Sequence, residues 1–281
     1  MLAALDPSAL LEGKVTVVTG AGGAIGSATA KLFAAHGAQV VVADIDPELT
    51  AACVAAIEQG GGTAIGVVTD VRDRSHVDAL ASTVLDRYGR VDVVVNNVGD
   101  WVRHVGAFVN GDDEFWDELY KVNLWNVFAV TKAFLPSMTH HRSGSIVNVA
   151  SVEALRGYPE DPVYAAFKAG VVHFTRSLAV QVGYQGVRVN AIGPDVTESL
   201  QVPYSQWIPP EQQKLWPLWV PAGRMGVGED QARVILFLAS DLAGFVTGHT
   251  IPTDGGTGAA GGWFRSNSRL DREWTNRPLN P

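Results

Sequence analysis

Tyr164 and Lys168, in the segment YAAFK, are four residues apart, so on a helix the phenol and the ammonium stand one turn above each other on the same face. Helix is the expected state, because Asp161 and Pro162 make a cap and first-turn pair and residues 164–182 run on without a breaker. A nearby cation favours phenolate over phenol, so Lys168 is expected to lower the Tyr164 pKa from about 10 toward working pH. A phenol tuned in this way is a general acid/base. Ser151 lies thirteen residues before Tyr164 at the end of an apolar run, where an intervening loop can bring its hydroxyl to the pair.

Such a trio needs a scaffold, and the start of the chain supplies one. Residues 14–19 (KVTVVT) are a β-branched run, followed by the turn TGAGGAIG at 19–26 and a helical pattern at 27–36. Glycines between a strand and a helix let backbone amides approach a pyrophosphate at the helix N-terminus. A second buried run, 38–43 (AQVVVA), ends in Asp44, eighteen residues after Gly26, near the spacing at which a carboxylate grips the adenosine ribose hydroxyls. That carboxylate would repel a ribose phosphate, and no Lys or Arg stands at Ala21, Gly22 or Ile45 to reverse the preference, so NAD is the expected cofactor. The competing reading makes Asp44 only the start of the turn with Asp46 and Pro47.

Alternation continues with helix 47–59, strand 63–69, helix 74–88 and strand 91–95, a pattern that builds a parallel sheet covered by helices on both faces. Asp70-Val71 and the NNVG of Asn96 to Gly99 each follow a strand, where cofactor-contacting loops of such sheets lie; Asp70 could equally be a plain turn former. After the loop 100–111, one apolar-striped helix is expected over 112–138, with Asn123 inside it either performing a task with its amide or exposed and idle. Strands 145–150 and 187–192, helix 230–240 and strand 249–253 complete the pattern. The segment 193–223 is rich in proline and tryptophan (Trp207, Trp216, Trp219) and reads as a lid over a lipophilic substrate or as packing at a subunit interface.

Length and composition fit one domain: 281 residues with 47% hydrophobic content. A net charge of −8 argues against a nucleic-acid groove or an anionic membrane surface and leaves a small-molecule substrate. One cysteine, Cys53, cannot form an internal disulfide, the first residues lack the basic start of a secretion signal, and no apolar run reaches membrane-span length, so a cytoplasmic setting is expected. Only His140 and His141 of the seven histidines are close together, so no metal site is expected. We divide the chain into a leader (1–13), a dinucleotide-binding catalytic domain (14–256) and an extension (257–281) whose aromatic and arginine residues suggest an arm docking on the same or a neighbouring subunit.

Together these landmarks resemble the short-chain dehydrogenase/reductase family over about residues 14–256. TGAGGAIG resembles its TGxxxGxG turn, NNVG its NNAG, Ser151 with YAAFK its Ser and YxxxK, and GRMG, LFLASD and VTGHTIPTDGG its closing segments. The resemblance implies a Rossmann-type doubly wound α/β sheet of about seven strands and a division of labour. Tyr164 exchanges the substrate proton, Lys168 also holds the nicotinamide ribose, Ser151 binds the reacting oxygen and Asn123 anchors a proton-carrying water chain. Gly20, Ala21, Gly22, Gly23, Ile25 and Gly26 meet the pyrophosphate side, Asp44 the ribose, Asp70 and Val71 the adenine, Asn97 the neighbouring backbone, and Pro194, Thr197 and Ser199 lie in the loop that holds the carboxamide. It also implies a homotetramer. Ala24, Val98 and Asp195 depart from the family pattern, where glycine, alanine and glycine are usual.

The expected function is NAD-dependent interconversion of a secondary alcohol and a ketone on a hydrophobic, cyclic or steroid-like molecule, a substrate class resting on Trp101, Trp207, Trp216 and Trp219. Glu153 would face a polar substituent of that substrate or be a solvated loop acid. Two alternatives are carried: an NADPH-dependent 3-oxoacyl-acyl-carrier-protein reductase, and a dinucleotide-sensing protein without turnover.

Overall fold

In the computed structural model, described here for residues 9–101, 108–265 and 274–275, seven parallel strands form one sheet in the order β3-β2-β1-β4-β5-β6-β7. These are β1 (Val15–Thr19), β2 (Gln39–Asp44), β3 (Thr63–Val68), β4 (Val93–Asn96), β5 (Gly144–Val149), β6 (Val187–Pro194) and β7 (Thr250–Thr253). Strand order reverses between β1 and β4, so a crevice opens there at the carboxyl ends of the strands.

Alternate residues of each strand feed opposite faces. Val18, Val40 and Val42 pack with Phe33, Ile57, Ile235 and Leu238 from α1 (Ala24–Ala35), α2 (Pro47–Gln59) and α10 (Gly228–Ala239). Val15, Val17 and Val41 pack on the other side with Leu80, Phe134, Met138 and Leu178 from α3 (Arg74–Tyr88), α5 (Asn126–His141) and α6 (Pro162–Val182). A buried polar chain crosses this second layer: the Asn96 amide donates to Asn148 at 2.8 Å and Thr131 at 3.1 Å, and Asn148 donates to Thr175 at 2.9 Å. Unpaired, these groups would each cost about 1–3 kcal/mol, so the network fixes α6 against β4 and β5.

The single helix expected over 112–138 is interrupted. α4 (Asp113–Tyr120) passes into a π-helical turn, Lys121–Trp125, before α5 begins. Such a turn spans only five residues, too few for a windowed hydrophobic pattern to separate from the α-helix on either side. The segment after β6 is also more ordered than expected, carrying three single-turn helices, α7 (Tyr204–Trp207), α8 (Pro210–Gln213) and α9 (Trp216–Trp219). The extension starts with α11 (Thr257–Ala260), then β8 (Phe264–Arg265) pairs antiparallel with β9 (Trp274–Thr275) and lies beside α9 of the same chain. The remainder of the proposed arm, the first eight residues of the leader and residues 102–107 of the loop expected over 100–111 lie outside the described residues. No helix among the described residues is long and apolar enough to cross a membrane.

Candidate active site

A cleft of about 1490 Å³ runs along the carboxyl edge of the sheet, above the roughly 300–1,000 Å³ of a single-ligand pocket. One end is built by the glycine turn. Gly20 adopts φ +64°, and a Cβ on Gly26 would sit 2.1 Å from the Gly20 carbonyl oxygen, so neither position accepts a side chain without rebuilding the turn. Gly23 caps α1 without any side-chain hydrogen bond, leaving the first amides of α1 without a side-chain acceptor at the cleft, which suits a bound anion. Gly20, Gly23, Ala24 and Ile25 line the cleft, whereas Ala21, Gly22 and Gly26 do not. These three shape the turn. Ala21 N–H donates to the Ala43 carbonyl and Gly22 N–H to Asp44 Oδ2 at 2.8 Å.

Asp44 therefore does two things. Nearly buried at the end of β2, it lines the cleft while accepting from Gly22 and, through Oδ1, from Asp46 N–H at 3.1 Å. The turn-forming reading and the cofactor reading are thus not exclusive. Asn97 lines the cleft, but its amide nitrogen donates back to the Thr19 and Gly20 carbonyls at 3.0 and 3.1 Å, binding the β4 loop to the glycine turn. Asp70 and Val71 line the same end. The Asp70 carboxylate is folded onto the Arg72 guanidinium at 2.8 Å, which holds it below the usual carboxylate range, and Arg72 in turn reaches Glu118.

At the other end Ser151, Tyr164 and Lys168 come together as their spacing predicts. Asp161 Oδ1 accepts from the N–H groups of Val163 and Tyr164 at 3.1 and 2.9 Å, fixing the first turn of α6 and with it the phenol. Lys168, 3% exposed, donates to the Val149 carbonyl at 3.2 Å and stands 5.8 Å from the centre of the Tyr164 ring. The ionisation expected of the pair is not found. Burial pushes the Tyr164 phenol above its ordinary range; a hydrogen bond from Ser151 opposes this, and the carboxylates of Glu153, Asp100 and Asp161 reinforce it. Burial lowers Lys168 itself to about 8, with Asp100 acting the other way. Desolvation is the largest influence on both groups, so the phenol is a proton donor at neutral pH.

Asn123 is neither idle nor in the cleft. Placed in the π-helical turn and fully buried, it donates to the Asp100 carbonyl at 2.6 Å and the Leu119 carbonyl at 3.1 Å and accepts from Asp100 N–H at 3.1 Å. Both amide hydrogens are spent in clamping the loop that carries Asp100, so a water anchored on this side chain would have to donate to Oδ1.

Pro194, Thr197 and Ser199 line the cleft beyond β6. Thr197 donates to the Asp195 carbonyl at 2.8 Å and accepts from Gln231 at 2.9 Å, and Ser199 accepts from Val202 N–H at 2.9 Å. Between them Val196 holds φ +31°, unusual for a β-branched residue, fixed by Asp195 Oδ1 at 2.8 Å and by pairing of Thr197 with Gly226. Arg156, which the sequence did not single out, meets both Glu153 and Asp195 and lines the cleft. Its only signal was its place five residues after Ser151.

Comparison with known proteins decides the lineage. A family model described as enoyl-(acyl carrier protein) reductase matches residues 20–258. The 3-oxoacyl-(acyl-carrier-protein) reductase FabG of Thermotoga maritima is 41% identical over 246 residues, 88% of this chain and 98% of that protein. The chain belongs to the short-chain dehydrogenase/reductase family. It is also 35% identical to the (2S)-[(R)-hydroxy(phenyl)methyl]succinyl-CoA dehydrogenase subunit BbsD of Thauera aromatica, over 88% of this chain and 97% of that one. Among solved structures, levodione reductase superposes with a TM-score of 0.82 at 33% identity, covering 89% of this chain and 99% of that chain. As a member of this family the chain is an oxidoreductase of nicotinamide dinucleotides. Against the family pattern, Val98 lines the cleft and Asp195 is ion-paired with Arg156, which it shares with Glu153.

Proposed function

We propose that this chain reduces the 3-oxo group of an acyl thioester to the 3-hydroxy product, using NADH. The observation that carries the reading is the half-buried Tyr164 phenol, set by the first turn of α6 beside Lys168 and lining, with Ser151, a cleft roomy enough for a dinucleotide and a second molecule. Relatives named as 3-oxoacyl reductases, and BbsD with its CoA thioester substrate, support the substrate class. This replaces a steroid-like alcohol as the first choice.

In this reading Ser151 hydrogen-bonds the substrate carbonyl oxygen and Tyr164 gives it a proton. NADH supplies the hydride to the carbonyl carbon. Lys168 holds the ribose beside Tyr164, the amides of Gly20 and the first turn of α1 face the pyrophosphate, and Asp70, Val71, Asn97, Pro194, Thr197 and Ser199 wall the dinucleotide. Asn123 positions Asp100. Asp44 supports NADH over NADPH, since a carboxylate already committed to Gly22 and Asp46 cannot swing away from a ribose phosphate. A second reading, reduction of a free lipophilic ketone, is favoured by Trp101, Trp207, Trp216 and Trp219 along the cleft, with Trp101 and Trp207 edge-on at 6.1 Å.

The test is a panel of 3-oxoacyl thioesters, cyclic diketones and linear ketones followed by nicotinamide absorbance with NADH and NADPH in parallel. The thioesters with NADH should give the highest kcat/KM. Turnover restricted to free ketones would move the assignment to the second reading, and activity with NADPH alone would overturn the role of Asp44.

A further inference from the structure

Between Ser151 and the segment after β6, one guanidinium joins two carboxylates. Arg156 Nε and Nη2 donate to the Glu153 carboxylate at 3.1 and 2.7 Å, and Nη2 also reaches Asp195 Oδ2 at 3.0 Å. The same Asp195 oxygen also accepts from the Thr257 hydroxyl of α11 at 2.5 Å. Glu153 N–H donates to Ser151 Oγ at 3.2 Å, which ties the whole clamp to the hydroxyl that would hold the reacting oxygen. The two carboxylates are largely covered, at 14% and 11% side-chain exposure, while Arg156 keeps 38% and lines the cleft. Nη1 has no partner among the described residues.

We propose that Arg156 is a specificity-determining residue, whose free guanidinium edge receives a second, uncharged oxygen acceptor of the substrate while Ser151 and Tyr164 hold the first. The argument rests on the 3-oxoacyl thioester reading and sharpens it: the acceptor is the thioester carbonyl, two carbons from the reacting ketone. A planar fork with two of its nitrogens pinned is pre-organised, so little side-chain entropy is lost when the third binds. Charge sets the acceptor's chemistry. Glu153 and Asp195 outnumber Arg156, and Glu160 and Asp100 also line the cleft against Lys168, so a carboxylate or phosphate placed here meets net negative surroundings. A neutral carbonyl does not.

The experiment uses the full chain with three probes of matched length: a neutral 3-oxoacyl thioester of a small thiol, the monoketone lacking its thioester carbonyl, and the free 3-oxo carboxylate. The wild-type protein should prefer the thioester to the monoketone by about 10- to 100-fold in kcat/KM, the worth of one charge-assisted hydrogen bond, and should use the carboxylate less well than the thioester. Arg156→Met should bring the thioester to near parity with the monoketone, chiefly through KM, and Arg156→Lys, which keeps the charge between the carboxylates but loses the fork, should lie between. NADH binding by fluorescence, measured on each variant, reports that it has folded. A preference retained in both variants overturns the role of Arg156 and leaves the proposed function standing; if Arg156→Met does not fold, Arg156→Lys alone decides in the same way. A wild-type protein that does not prefer the thioester overturns both, and a carboxylate used as well as the thioester overturns the neutral acceptor.

Discussion

The two ends of the cleft are built on different principles. The dinucleotide end is made of backbone: a glycine turn that excludes Cβ atoms, an uncapped helix start and one carboxylate, all within residues 19–44. The substrate end is made of side chains drawn from residues 101, 153, 156, 195, 207 and 257, brought together only by the finished fold. Short-range geometry governs the first and long-range packing the second. Recognition of a cofactor common to a family can be written locally, whereas selection among substrates has to be assembled.

The sharpest way to break this contrast is at Asp44. Asp44→Ala should lower the ratio of kcat/KM for NADH to that for NADPH by about 100-fold, the scale of several kcal/mol for facing like charges; an unchanged ratio would detach cofactor choice from this carboxylate. At the same end, Gly26→Ala should cost about 1–3 kcal/mol in urea unfolding and weaken NADH binding, because the new methyl meets the Gly20 carbonyl and the Asn97 amide. A variant as stable as the parent would show that the turn can relax.

Asn123 tests the coupling between the ends. Asn123→Ala removes the amide that bonds both Asp100 N–H and C=O, so a loss of about 1–3 kcal/mol is expected, with turnover falling more than NADH affinity. Equal loss of both would make the π-helical turn a feature of the dinucleotide end.

The smallest effect is one of pH. Lys168 releases its proton near 8 in the folded protein against 10.5 in its ordinary state, so the folded chain binds fewer protons over that interval and stability rises with pH through it. This contribution is complete above about 10.5 and is lost as pH falls through about 8. Urea midpoints compared for the parent and Lys168→Met should therefore converge as the pH is raised. Parallel curves would mean that Lys168 is not desolvated.

What the sequence made legible follows the same division. Every strand of the sheet, the glycine turn, Asp44 and the Ser151-Tyr164-Lys168 trio can be read from runs, breakers and spacing, because each depends on neighbours within a turn or a strand. The π-helical turn at Lys121–Trp125 cannot, since it is a change in the backbone hydrogen-bond ladder confined to five residues inside an otherwise helical pattern. Nor can the partner of Asp195, which lies 39 residues away at Arg156. The upward shift of Tyr164 is hidden from the sequence for a related reason. Spacing shows the nearby ammonium, but only the packed structure shows the burial that sets the direction.

Tyr164 is the proposed acid that gives its proton to a carbonyl oxygen. Single-turnover oxidation of bound NADH by a 3-oxoacyl thioester, compared between the parent and Tyr164→Phe at neutral pH, tests this most directly. A fall of at least about 100-fold with NADH affinity retained is the predicted result. A variant that turns over at nearly the parent rate would contradict it.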